Sequence, residues 1–307
     1  MREVFESIGE ELKRRSAEGE AFVELTDESL AILRKMVGRI AGEESLEELA
    51  EVEFASVIDS EKVQEEMKVQ AKKVMRVSST SPSTDGIKPI PAPTPFTLPK
   101  GSKQERWSFL RDKVLNDSVC REHLHEGKQI VFGVGNLDAD IFFCGEAPGA
   151  DEETQGIPFV GKAGQLLTKI ISAMGLSRDD VYIGNIMNWR PEVPKGNRPP
   201  TIEEMNYCLP YLKAQIEIVQ PKVIVALGMT AVKGLLGDDP SRKMGKIRGI
   251  WHNFNGTDLM ITYHPSFLLQ YASNQMKRLV WEDMMSVMER VGLEISEKQR
   301  GYFLVKQ

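Results

Sequence analysis

From Gln104 to Val291, short apolar runs alternate with stretches whose apolar residues recur at helical spacing. That alternation constrains the chain more than any other feature, because strands separated by helices pair in parallel and need cover on both faces. The fold expected is α/β, a three-layer α/β/α sandwich with a mostly parallel central sheet. The spacing predicts helices over 104–116, 163–174, 202–219, 230–236 and 275–291, and strands over 129–133, 139–144, 181–186, 222–227, 249–254 and 258–263. Asn255-Gly256 marks a hairpin between the last two strands. Pro210 is expected to kink or split the helix that contains it.

The chain ahead of this alternation has another character. Residues 1–76 are rich in charge, with amphipathic helical spacing over 3–18 and 27–40. From 77 to 102 Ser, Thr, Pro and Gly dominate, a composition that buries too little apolar surface to offset the entropy of ordering. The expected organisation is a helical N-terminal extension (1–76), a flexible linker (77–102), one α/β domain (103–293) and a C-terminal tail (294–307). The extension reads either as a docking module for a protein partner or as a charged appendage.

The net charge of −6 argues against a nucleic-acid partner until its distribution is considered. Residues 1–102 hold 14 Lys+Arg and 20 Asp+Glu, which leaves 25 of each and a neutral remainder. Within that remainder Arg242, Lys243, Lys246 and Arg248 cluster in one loop, and Arg190, Lys195 and Arg198 lie in a Pro-rich one. Both loops suit phosphates, and both suit solvent. No segment approaches the ~20 apolar residues of a membrane span, and the start, Met1 to Glu6, lacks a secretory apolar stretch. Three scattered cysteines make no disulfide framework. A cytoplasmic protein without membrane contact is expected.

The chemistry is concentrated in the loop Gly145-Glu146-Ala147-Pro148-Gly149-Ala150-Asp151-Glu152-Glu153, followed by Gly156-Ile157-Pro158-Phe159-Val160-Gly161-Lys162-Ala163-Gly164. It lies between a strand and a helix, at the carboxyl end of the strand, where open α/β sheets place ligand crevices. Taken alone, such a segment is as readily a turn. Two more strands end in polar residues, 181–185 in Asn185 and 259–263 just before His264-Pro265-Ser266.

These four blocks, in this order, resemble the family 4 uracil-DNA glycosylases over roughly residues 118–292. The resemblance implies a monofunctional glycosylase that flips uracil out of DNA and hydrolyses its N-glycosidic bond. Cleavage builds positive charge on the sugar and negative charge on the base. His264 would donate to uracil O2 where that charge develops. Asn185 would read O4 and N3–H, a pattern cytosine presents with opposite polarity. Phe159 would stack on the flipped ring, and the backbone around Glu146 and Ala147 would add donors. Glu152, with Glu146 beside the reaction, would position the attacking water. Ser266 and the apolar Leu268 or Leu269 would enter the duplex, and Lys195, Arg198, Arg242, Lys246 and Arg248 would hold phosphates. Each also has a plainer reading: a turn-side His, a strand-end cap, a core aromatic, helix-start leucines.

The family usually carries an iron–sulfur cluster on four cysteines. The corresponding positions here are Cys120, His123, Trp189 and Cys208. Tryptophan does not ligate iron, so no cofactor is expected, against the alternative of a cluster with a mixed ligand set. Trp189 is expected to fill the vacated volume beside two reduced thiols. Two other readings stand beside the enzyme: a binder of uracil-containing or damaged DNA that cleaves weakly or not at all, and an inactive scaffold served by the N-terminal region.

Overall fold

A computed structural model describes residues 90–191, 198–271 and 273–304. The expected extension 1–76, residues 77–89 of the expected linker, and Lys195 lie outside those residues. In chain order the elements are α1 (Lys103–Leu115), α2 (Ser118–Glu122), β1 (Val134–Gly135), β2 (Ile141–Gly145), α3 (Ala150–Gln155), α4 (Lys162–Ala173), a 3-10 turn (Arg178–Asp180), β3 (Tyr182–Asn185), α5 (Ile202–Val219), β4 (Val223–Leu227), α6 (Gly228–Leu236), α7 (Met244–Ile247), β5 (Trp251–Phe254), β6 (Thr257–Thr262), α8 (Pro265–Gln270), α9 (Asn274–Val291) and α10 (Glu297–Arg300).

The sheet runs β1-β3-β2-β4-β6-β5. Its four inner strands are parallel, and the two edge strands β1 and β5 are antiparallel. Every residue of β2 and β4 is buried, as a strand covered on both faces requires. Side chains alternate between two cores. Phe142, Cys144, Ile224 and Ala226 face α1, α5 and α6, whereas Ile141, Phe143, Val223 and Val225 face α4 and α9. This is the expected three-layer α/β sandwich. Asn255 (φ 50) and Gly256 (φ 94) turn β5 into β6 with both residues at positive φ, as the Asn-Gly signal predicts.

Four expectations need correction. Residues 130–133 of the run 129–133 are buried but are not a strand: Val131 N–H donates to Asn188 O, Val131 O accepts from the Asn188 side-chain amide, and the edge ladder forms only at Val134–Gly135. Pro210 leaves α5 unbroken from Ile202 to Val219. The carbonyl it deprives of a partner belongs to exposed Asn206, where water can serve, while Tyr207, Cys208, Tyr211 and Leu212 bury the helix face. Residues 90–102 of the linker are not loose, because Ile90, Phe96 and Leu98 pack on the core and the Phe96 ring lies 5.4 Å from that of Tyr211. Residues 294–304 of the tail pack as part of the domain. Tyr302 is buried, Gln299 donates to Ala173 O, and the Trp281 indole N–H donates to Gln299 O.

Candidate active site

The parallel strands β2, β3, β4 and β6 all end at one cavity of about 520 Å3. Gly145 closes β2 and is the register partner of Asn185, the last residue of β3. A Cβ on Gly145 would lie 2.4 Å from both Asn185 Oδ1 and the tip of the Phe159 ring. Glycine is therefore required for the amide and the ring to meet over the strand end. Phe159 holds φ 55, a conformation rare for a bulky residue. Arg178 fixes it by donating to Pro158 O (2.8 Å) and Phe159 O (3.0 Å). Asn185 is buried, and its Oδ1 has no hydrogen-bond partner among the described residues. A buried acceptor left unpaired costs about 1–3 kcal/mol, which is what an amide kept for a ligand's donor looks like.

His264 enters from the end of β6. It is the N-cap of α8: Nδ1 accepts from the Ser266 N–H at 3.1 Å and meets the Ser266 Oγ at 2.7 Å. With Nδ1 accepting, the proton of the neutral ring sits on Nε2. The ring keeps part of its surface toward the cavity, yet the protein encloses it closely enough that burial lowers its pKa to about 4. Its centroid lies 5.7 Å from that of Phe159. Gly228, at φ 85, makes room, since a Cβ there would lie 2.9 Å from the His264 Cβ.

The carboxylates divide by task. Both oxygens of Glu152 are engaged: Oε1 accepts from Val160 N and Gly161 N, each at 2.9 Å, and Oε2 accepts from Gly149 N at 3.1 Å. It ties the two motif segments together. Glu153 pairs with Arg190 and His125, both at 2.8 Å. Glu146 lines the cavity, where burial raises its carboxyl above the usual range and a hydrogen bond with Thr230 opposes that rise. Ala147 lines the same wall.

The expected DNA contacts scatter. Arg198 pairs through two bonds with fully buried Glu204, at 2.7 and 2.6 Å, so its guanidinium serves the start of α5. Arg248 is held by Asp283 and by Leu279 O, and Asp283 also accepts from Thr262 Oγ1 at 2.6 Å. These two arginines neutralise buried carboxylates, a stronger call on them than an exposed phosphate. Arg242 bonds Leu236 O and Gly237 O, while Lys246 is exposed on α7. Leu268 is in the core and is removed as a wedge, because a side chain without exposed surface cannot enter a duplex. Leu269 is half-buried, and Ser266 is occupied with His264. Sequence reasoning missed Thr230, Arg178 and Gly228. Only the glycine after an apolar strand carried a signal.

The profile of the Uracil DNA glycosylase superfamily matches residues 132–285, from just ahead of β1 into α9. The chain belongs to that superfamily. Among curated proteins, the Type-4 uracil-DNA glycosylase of Thermotoga maritima is 41% identical over 186 residues, 60% of this chain and 93% of that protein. The Type-4 uracil-DNA glycosylase of Pyrobaculum aerophilum is 40% identical over 167 residues, 52% and 83% of the two chains. That of Archaeoglobus fulgidus is 41% identical over 168 residues, again 52% and 83%.

The four positions that align with the superfamily branch's cluster ligands do converge. Cys120 and Cys208 are buried free thiols in hydrogen-bond contact. The ring of His123 lies 5.1 Å from that of Trp189, and the indole lies 6.2 Å from Tyr207. Asp117 binds the set beneath, accepting from Cys120 N and from the hydroxyls of Tyr207 and Tyr211. An iron–sulfur cluster with four protein ligands does not fit these residues, because one of the four positions is the fully buried indole of Trp189, which does not ligate iron. No helix among the described residues is long and apolar enough to cross a membrane.

Proposed function

We propose that this chain excises uracil from DNA by hydrolysis of the N-glycosidic bond, with His264, Asn185, Phe159 and Glu146 as its working residues. The observation that carries the reading is the pairing across one cavity of a neutral His264, its Nε2–H left to donate, with the unpartnered Asn185 Oδ1. Uracil needs both: an acceptor for N3–H and a donor for O2. Phe159 stacks on the ring. As the C1′–N1 bond breaks, its electron pair delocalises onto O2, where Nε2–H meets it without reorganisation. A neutral donor suffices, because the charge grows only in the transition state.

Water then forms the new bond to C1′. Glu146 is the carboxylate placed to receive its proton and to face the positive sugar, a role that moves here from Glu152. The uracil anion takes a proton from solvent on release. Uracil-containing DNA is thus the partner, and exposed Lys246 remains a cation that can meet its phosphates. The buried free thiols support a reducing, cytoplasmic setting, and the enzyme works without a cluster. The reading as a non-cleaving binder or scaffold has no residue in its favour, since Glu146, Phe159, Asn185 and His264 line the same cavity.

The test is an oligonucleotide with one deoxyuridine, incubated with the protein and then treated with alkali. Scission at that position only after alkali is expected. An intact strand would overturn the assignment.

A further inference from the structure

Three aromatic rings outside the set assigned to uracil form a ladder that leaves the cavity mouth. Tyr263, just ahead of His264, stacks on Phe267 with centroids 4.6 Å apart and planes within 11°. Phe267 meets Tyr271 at 4.6 Å and 37°. Tyr263 and Phe267 line the cavity, whereas Tyr271 is 43% exposed. The opposite side of α8 is anchored by buried Pro265 and Leu268. A ladder serving the core alone would end inside the protein; this one runs from the site into solvent, and its last ring is a large exposed one.

We propose that Tyr271, backed by Phe267, forms a shelf on which an unpaired base next to the extruded nucleotide stacks, so that the chain favours uracil in single-stranded DNA. The inference rests on the uracil-excising reading of the cavity. Phe267 lines the cavity that takes the uracil, so a strand leaving on that side carries its next base towards α8. In a single strand that base has lost its stacking partners, and every base has a π-face for an aromatic ring. In a duplex the neighbouring bases stay stacked on each other and have less need of the shelf. Base–aromatic stacking is sequence-tolerant and changes affinity by roughly 5- to 150-fold per base. Exposed Lys246 lies on α7, whose Met244 borders the same cavity, and adds a cation for the strand's phosphates.

The experiment uses oligonucleotides carrying 2′-fluoro-2′-deoxyuridine, whose fluorine disfavours the sugar cation, with 2-aminopurine as the adjacent base. Binding to the wild-type chain should quench the 2-aminopurine in the single strand. Tyr271→Ala should weaken single-strand binding about tenfold and remove most of the quench, while Tyr271→Trp restores both. On cleavable substrates the single-strand KM should rise with far less change in kcat, and the duplex KM should move less. Equal binding by Tyr271→Ala and wild type, or an equal loss on both substrates that Trp does not restore, would overturn the shelf. Failure of the wild-type chain to release uracil would instead sink the reading of the cavity, because the binding measurement does not depend on turnover.

Discussion

Ser266 fixes the protonation of His264: its main-chain N–H points at Nδ1 from 3.1 Å, and its hydroxyl lies 2.7 Å from the same atom. Because burial lowers the ring's pKa from 6.5 to about 4, the donor form persists over the whole neutral range. Uracil release should therefore show no loss attributable to this group until the pH falls toward about 4. A linked effect on stability has a definite sign. Between pH 6.5 and about 4 the unfolded chain binds the proton that the folded one refuses, so stability falls with pH in that window. Chemical denaturation across that range should show His264→Asn lacking this component. Its kcat should fall on the order of 10²- to 10³-fold, as for other lost charge-stabilising donors.

Asn185→Ala separates recognition from folding. The amide oxygen has no partner to abandon, so the melting temperature should hold or rise, while uracil excision falls about 5- to 150-fold from the loss of roughly 1–3 kcal/mol of matched hydrogen bonding. A large fall in melting temperature would mean that the side chain supports the fold instead.

The two carboxylates should respond in opposite ways. Glu152→Gln sets an NH2 against backbone donors at Gly149 or at Val160 and Gly161, and should cost about 1–3 kcal/mol of stability in denaturant titration. Glu146→Gln relieves the burial of a charge, so stability should hold while kcat drops on the order of 10²-fold. Single-turnover rates beside melting curves would expose a reversal of these roles.

Iron analysis of the purified protein should find none in stoichiometric amount, and a chelator should leave its melting temperature unchanged. Trp189→Ala should instead destabilise the domain by about 3–5 kcal/mol, because the indole is fully buried in the core.

The sequence announces the sheet and the cavity floor clearly. Strands β2 and β4 are continuous apolar runs whose burial has only one solution, and Gly145, Asn185 and His264 stand at strand ends where polar residues are out of place. Helix α5 is legible to the residue at 202–219, although Pro210 misled because its effect depends on whether the orphaned carbonyl meets water. The run 129–133 misled for the opposite reason: burial without a ladder has the same apolar signature as a strand. Partners across long loops leave no local trace. Nothing near Glu152 tells that it will meet Val160 and Gly161, nor does the cluster of basic residues tell that Arg248 and Arg198 will each meet a buried carboxylate. Charge type is written in the chain, whereas charge pairing belongs to the fold.

Thr262 stands two residues before His264 on β6, and its hydroxyl is bound by Asp283 of α9, which Arg248 in turn restrains. Helix α9 therefore acts as a splint for the strand that carries the imidazole, reaching it from outside the sheet. The position of the imidazole is thus set by one helix as well as by the sheet.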